Sequence, residues 1–421
     1  MSQHADIAII GAGAAGLAAS IFAAQTNPSL HIVLLDSAKT IGAKILVSGG
    51  GRCNVTNQKV TASDFHGDRK LIDRILRRFD EQATIQWFDA LGVPLHTETT
   101  GKLFPTSNKA RTVLDALLNR CKALSISLRT QHHIQSITRQ KEHFLIQSLN
   151  GVLTAKQVIL ATGGRSLPKT GSDGSGWVLA QNFGHTIAPT YPALVPLLLA
   201  DSFFHANLSG ISHDVMLTTR VNNQIADRRT GSLLWTHFGI SGPVVLDVSR
   251  FWIREAEQRT TVQLHLNCFP QTTYKEVEQW LIQAGQGPGN TTVQTLLAER
   301  LPSRVATQLA AFLEPALALT PANLLQKNIR SKLIHTLTDL SLPVLGSRGW
   351  NFAEVTAGGV PLQEINPFTM ESKKVPGIYL TGEMLDCDGR IGGFNFQWAW
   401  STGYLAGYHA AQRTREKQFQ T

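Results

Sequence analysis

DIAIIGAGAAGLAASIFAA, residues 6–24, is the stretch that decides the fold. Residues 6–10 form a short apolar run that reads as a buried strand. Gly11, Gly13 and Gly16 follow at G-x-G-x-x-G spacing, and an Ala-rich helix runs on to about Ala24. In that context the first glycine permits a tight turn and the second lets the backbone approach a pyrophosphate. The third lets the helix pack on the strand. Ala14 and Ala15 stand at the helix N-terminus, where N–H groups and the helix dipole favour an anion. A second apolar run, HIVLLD, ends at Asp36 with Ser37 behind it, at the spacing where a carboxylate takes ribose hydroxyls. A glycine-rich packing turn without ligand is the alternative for the spacing alone; strand, helix and acid together argue against it. The uncharged run 7–24 is nearly long enough to cross a bilayer. Its glycine spacing explains it better, and Asp6 at its start, with no preceding Lys or Arg, does not fit a secretion signal.

Working outward, GAKILVSGGGRCNVTN, residues 42–57, places three consecutive glycines before Arg52. Such a backbone can wrap an anion or a flat ring, and Lys44 and Arg52 would bring charge for a phosphate. A flexible loop is the other reading. KQVILATGG, residues 156–164, is a strand running into a glycine turn through Ala161, Thr162 and Gly163. Near the C-terminus, VPGIYLTGEMLD (375–386) is a strand and turn carrying Gly382, Glu383 and Asp386. Gly392 and Gly393 then open a helix at Phe394 and Asn395. A nucleotide fold assembled from both ends of the chain makes the middle an insertion.

The composition frames these motifs. The chain has 421 residues, 43% of them hydrophobic and 16% charged, so intrinsic disorder is excluded. Its formal net charge of +9 favours anionic partners: nucleic acid, anionic lipid or acidic substrates. Four widely spaced cysteines make neither a disulfide framework nor a C-x-x-C metal site, and no metal centre is expected. A reducing cytoplasm fits best. No other segment is apolar enough to span a bilayer, so the chain reads as soluble and cytoplasmic.

GAGAAGLAA, KILVSGGGRCNVTN, ILATGG, LLWTHFGISGPVVL, AEVTAGGV, TMESKKVPGIYLTGEMLD and GGFNFQWAWSTG together resemble the YhiN/BaiN-like flavoproteins, a bacterial family of FAD-dependent oxidoreductases. The resemblance runs from residue 6 to about 407, and SGGGRCN and the late block are more specific than G-x-G-x-x-G. Ala43 departs from it where a basic residue is expected, and Asp36 replaces a common Glu; the loop 171–177 is more irregular than the family form. The resemblance implies an α/β fold: a Rossmann-like FAD-binding domain of the two-dinucleotide-binding type. That domain would be discontinuous, 1–190 and 346–421, around an inserted β-barrel or sandwich (191–270) and a small helical domain (271–345). It implies non-covalent FAD, with Gly11, Gly13, Gly16 and Asp36 at the adenosine and pyrophosphate end. Gly50, Gly51, Arg52, Glu383, Asp386, Gly392 and Gly393 would surround the ribityl chain and ring.

The residues of the middle agree with an insertion. LVPLLL, DVMLTTR, VVLDV and VQLHLN are short strand-like runs, and YKEVEQWLIQA and VQTLLAERL are helical. GQGPGN (285–290) lies between helices and follows no strand, so it is a loop and not a second dinucleotide turn. Electrons then come from NAD(P)H bound without its own Rossmann domain, or from a separate reductase.

Two acceptors stand open. The family is linked to reduction of a ribosomal RNA uridine to dihydrouridine, so a uridine in 23S-type ribosomal RNA or its precursor is one. Residues 68–81 support it, reading as an amphipathic helix with Lys70, Arg74, Arg77 and Arg78 on one face for phosphates. A solvated surface helix is the alternative, since four acids share the segment. The second acceptor is a small conjugated ketone in an apolar pocket lined by Phe203, Phe204, Trp235 and Phe238, residues that equally suit a core. A non-catalytic flavin-bound scaffold is a third reading. Reduction of an unsaturated carbonyl needs an acid. Cys53, beside Arg52, is one candidate, with a small buried packing residue as the alternative. His237 is the other, with a structural histidine as its alternative.

Overall fold

The computed structural model describes residues 3–258, 260–286 and 291–418, so 287–290 of the GQGPGN segment lie outside the described residues. The chain forms two compact units: residues 1–192 with 354–421, and residues 193–353. Each has its own apolar core.

In the first unit, β1 (Gln3–Ile10) turns into α1 (Ala14–Thr26), which leads to β2 (Ile32–Leu35). β1 lies between β2 and the strand Gly151–Leu160, parallel to both. The far edge of Gly151–Leu160 is shared. The antiparallel strand His143–Ser148 pairs with residues 151–155, and the late strand Ile378–Leu380 pairs in parallel with 158–160. The seven-stranded mixed sheet is therefore completed by chain from beyond the insertion.

α1 carries no charge because both its sides are core: Ala15 through Ile21 are all buried. A helix apolar all round belongs inside. Its partner is the C-terminal helix Phe394–Gln418, which approaches along Gly403 and Gly407. A Cβ on Gly403 would stand 2.6 Å from the Ala15 carbonyl oxygen, and one on Gly407 would overlap that of Ala19.

The TMESKKVPG stretch is a turn that delivers the late strand to the sheet. Glu371 accepts the Gly377 N–H at 2.7 Å and pairs with Arg413. Ser372 lies 2.8 Å from Nε2 of the buried His185, whose Nδ1 lies 2.7 Å from the Glu364 carboxylate.

In the second unit, one seven-stranded antiparallel sheet runs from Leu340–Leu342 through the hairpin Ser212–Val221/Gln224–Thr236 to Val344–Ser347. Helices Pro243–Glu257, Tyr274–Gly285, Ser303–Leu313 and Lys327–Thr338 share its core. Leu217, Leu233 and Leu266 from strands and Val245, Leu281, Leu309 and Leu333 from helices belong to a single cluster. This corrects the sequence division into 191–270 and 271–345. The change of periodicity near residue 270 marks a change of element type, not of core. Among the described residues no helix is long and apolar enough to cross a membrane.

Candidate cofactor site

The glycine turn after β1 is held tightly. Gly11 takes φ 102°, its N–H donates to Leu35 O at 2.7 Å, and a Cβ there would overlap the Ala161 carbonyl. A side chain at Gly16 would overlap the Gly11 carbonyl, so the helix sits directly on the turn. Gly13 is different: a Cβ there meets nothing within 4 Å. It is the N-cap of α1, which has no capping side chain and no acid in its first turn. The helix therefore starts at an exposed glycine with no side chain capping its first backbone N–H groups, the arrangement that takes a phosphate.

Asp36 supports this turn as well as standing beside it. Its Oδ2 accepts the Ala12 N–H at 2.6 Å and its Oδ1 the Ala38 N–H at 2.7 Å. A carboxylate has about four acceptor positions, which leaves capacity for ribose hydroxyls next to exposed Ser37.

Residues 43–51 form α2 (Ala43–Gly51), a helix kinked at Ser48, Gly49 and Gly50 rather than a simple loop. Gly49, Gly50, Gly51 and Cys53 all have φ between 56° and 84°. Gly50, like Gly13, has nothing within 4 Å of a Cβ position.

Here the structure corrects three expectations. Lys44 is not a lone cation for phosphate: its Nζ pairs with Glu383 at 2.7 Å and donates to Ser166 and Ser172 at 2.8 and 3.1 Å. Glu383 also accepts Ser166 Oγ at 2.7 Å and the Thr356 N–H at 3.0 Å. Arg52 reaches Glu98 at 2.6 Å and stacks over Phe104 at 4.0 Å, holding the Glu98 carboxyl below its usual range. Its charge is therefore engaged away from Cys53. That thiol is fully buried, and burial pushes it up to about 12, against a hydrogen bond from Ser48. Cys53 is a packed residue rather than a cation-tuned acid.

The C-terminal arm closes round the same turn. Ala161, Thr162 and Gly163 follow the strand Gly151–Leu160, and Thr162 Oγ1 lies 4.0 Å from the Met384 sulfur. Gly382 donates to Thr402 Oγ1 at 3.0 Å and accepts from the Trp398 indole at 3.1 Å. A Cβ on Gly382 would stand 2.9 Å from that of Ala15, so the two arms meet at the α1 N-terminus. Asp386 is half-buried two residues beyond Met384. Asn57 donates to Gly392 O at 2.9 Å, and Asn395 bonds Gly389 through both amide ends at 2.8 and 2.9 Å. Gly393, φ 91°, has no room for a Cβ against the Thr56 carbonyl. Phe394 is buried, edge-on to Phe65 at 6.0 Å.

A helix N-terminus without a cap, two open glycines and a carboxylate with spare acceptors fit a dinucleotide. Sequence reasoning missed Ser166, Thr356 and Glu98, whose partners lie far away along the chain. Asn54 and Asn57 were visible inside SGGGRCNVTN but unassigned.

The remaining candidates lie elsewhere. The segment read as one helix over 68–81 is two. α3 (Arg69–Leu76) is capped by Asp68, and a second helix from Glu81 is capped by Asp80. Two of the acids counted against the basic face are thus caps. Lys70, Arg74, Arg77 and Arg78 are exposed; Arg77 pairs with Asp73 at 2.8 Å and Arg78 lies over Phe368 at 5.3 Å. In the second unit His237 is exposed on the turn before Gly239–Ser241. Phe203, Phe204 and Trp235 pack on one another with Phe312, and Trp235 is fully buried. Phe203 and Trp235 belong to the core of this unit, and half-buried Phe204 packs against it.

Comparison with known proteins agrees with this architecture. Residues 5–409 match the family described as HI0933-like protein Rossmann domain. The chain is 34% identical to a 3-dehydro-bile acid delta(4,6)-reductase of Clostridium scindens, covering 97% of this chain and 99% of that protein. It is 33% identical to the ribosomal RNA dihydrouridine synthase of Escherichia coli K12, covering 96% and 97%. Among solved structures it resembles an E. coli quinol fumarate reductase, with a TM-score of 0.52 at 16% identity over 99% of this chain and 72% of that one. A 3-ketosteroid delta1-dehydrogenase of Sterolibacterium denitrificans aligns with TM-score 0.51 at 11% identity, over 98% and 100%.

Proposed function

The chain belongs to the HI0933-like family of Rossmann-domain proteins, and on that premise we propose that it is an FAD-dependent oxidoreductase that reduces a uridine of ribosomal RNA to dihydrouridine. FAD bound in the first unit would supply the hydride, which adds to the β-carbon of the unsaturated carbonyl. The turn at Gly11–Gly16 and the α1 N-terminus hold the pyrophosphate, and Asp36 takes the ribose. Gly50 and the Gly392–Asn395 turn give the ring a close backbone wall. The Lys44–Glu383 pair, braced by Ser166 and Thr356, fixes the turn that carries Gly382.

A proton must then reach the α-carbon. Buried Cys53, its thiol pushed up to about 12, is not assigned that step. NAD(P)H is the proposed donor of electrons, and the cytoplasm the proposed setting.

The observation that carries the RNA acceptor is the net charge of +9, with Lys70, Arg74, Arg77 and Arg78 exposed along and just beyond α3. A base inside folded RNA would have to be extruded to reach the flavin. A small conjugated ketone is the second reading, favoured by the 34% identity to a bile acid reductase.

The deciding experiment is mass spectrometry of ribosomal RNA nucleosides from cells with and without the gene. Loss of one dihydrouridine in cells without the gene, restored by the wild-type gene, supports the reading. An unchanged nucleoside profile refutes the RNA acceptor and turns attention to conjugated ketones.

A further inference from the structure

In the second unit, strand Leu197–Leu199 pairs with Val344–Ser347 on one edge and with Gly239–Ser241 on the other, which brings Arg348 and Phe238 within reach of each other. The Arg348 backbone N–H donates to Pro196 O at 3.0 Å. The short turn Trp350–Phe352, closed by the Phe352 N–H on Gly349 O at 3.1 Å, folds the chain back over the arginine. Its guanidinium carbon then lies 3.4 Å from the centre of the Phe352 ring and 4.4 Å from that of Phe238. Phe238 is itself braced by the His237 ring at 5.1 Å.

Stacking on a ring uses the face of a guanidinium, whereas its five N–H donors lie in the plane. Among the described residues no carboxylate, carbonyl or hydroxyl accepts from the Arg348 side chain, and none of its nitrogens is sealed from solvent. Arg220, Arg229 and Arg254 of the same unit differ, since each is engaged by an acid. The rings fix the plane of Arg348, so the freedom that a surface arginine loses on binding is already lost in folding. Phe352 is the second half of the arrangement. It remains 45% exposed with Arg348 over one face, so its remaining surface is open to a flat partner.

We propose that Arg348 and Phe352 form a nucleotide subsite for RNA, in which the guanidinium edge takes a backbone phosphate through paired N–H donors and the uncovered face of Phe352 stacks a base. The arginine fork matches the paired oxygens of a phosphate. Unpaired RNA offers both groups at every residue, and its bases are taken up by stacking on aromatic side chains. A duplex keeps its bases stacked on one another, so the subsite favours a single-stranded loop or an extruded nucleotide and grips it without reading sequence. A small carboxylate would fill the fork but leave the ring bare. This inference rests on the RNA acceptor proposed above and names a contact for it in the second unit.

The test is fluorescence anisotropy of a labelled ribosomal RNA hairpin with an unpaired loop, bound by the flavin-loaded enzyme across a salt series. Arg348→Gln should bind about tenfold more weakly and lower the slope of log K against log salt by about one. Phe352→Leu should also lose about tenfold, with the slope unchanged, because stacking releases no counterion. Arg348→Lys keeps the charge and loses the fork, so the slope should hold while affinity falls about threefold. Lys332→Gln is the control: it removes an exposed cation from helix Lys327–Thr338 of the same unit and should change affinity less than about twofold. Flavin content and Tm of the variants should match wild type. If Arg348→Gln loses stability, Arg348→Lys decides, and wild-type affinity there would overturn the fork. Unchanged affinity in Arg348→Gln or Phe352→Leu, or an equal loss from Lys332→Gln, would overturn the subsite while leaving the RNA acceptor standing. Failure of the wild type to bind the RNA would overturn the RNA acceptor itself, and the subsite with it.

Discussion

Cys53 combines a φ of 62°, full burial and a thiol raised to about 12, three properties that neighbouring sequence does not reveal. Arg52 beside it in sequence was the natural cation to activate it, but Glu98, 46 residues later, takes that charge. Cys53→Ala should therefore keep product formation within about twofold while lowering stability by about 1 kcal/mol through the lost packing. Nucleoside analysis and thermal unfolding check the two halves separately. Lys44 was legible as a cation near the site and illegible as half of a pair, because Glu383 lies 339 residues further on. Lys44→Met should cost on the order of 1–3 kcal/mol by leaving a mostly buried carboxylate without its cation. Lys44→Met/Glu383→Gln should recover part of that loss in a denaturation cycle. Full additivity of the two changes would show that the pair does not act as a unit.

At the level of elements, the strand–turn–helix of residues 3–26 was readable because glycine spacing, apolar runs and the acid at 36 obey one geometry. The kink of α2 was not: Ser48, Gly49 and Gly50 break a helix that a glycine run gives no reason to expect. Nor was the split of 68–81, since Asp80 reads as surface charge until its side chain is seen to accept the Ala83 N–H at 2.8 Å. The packing of α1 on the C-terminal helix was not read either: Gly403 and Gly407 stand one helical turn apart, but only the backbone of α1 against them explains why. Gly407→Val should destabilise by about 3 kcal/mol or more, since the clash is with backbone and cannot be relieved by a rotamer. Gly407→Ala should cost less; equal stability of all three proteins would disprove the close approach.

Over the whole molecule, acid should be the destabilising direction. Burial lowers His185, outweighing the Glu364 carboxylate beside it, and burial also lowers His213 and His409. Below about pH 6.5 the unfolded chain takes up protons that the folded chain refuses, so stability rises with pH through that window. Tm should fall as pH drops from 7 to 5, and His185→Gln should make that fall shallower. A Tm that climbs on acidification would reverse the sign and dismiss buried neutral histidines as its cause. An insertion was expected because nucleotide-fold segments occur at both ends of the chain, and two domains were expected within it. The single core of residues 193–353 was not, since strand and helix periodicities do not say which elements share an interior. The shared edge of strand Gly151–Leu160 also sets an order of manufacture. On a translating ribosome, residues 193–353 emerge whole, while the first sheet waits for Ile378–Leu380 and α1 waits for its covering helix. The nascent chain therefore carries its cofactor half unfinished, with an alanine-rich surface bare to chaperones, until synthesis has passed residue 414.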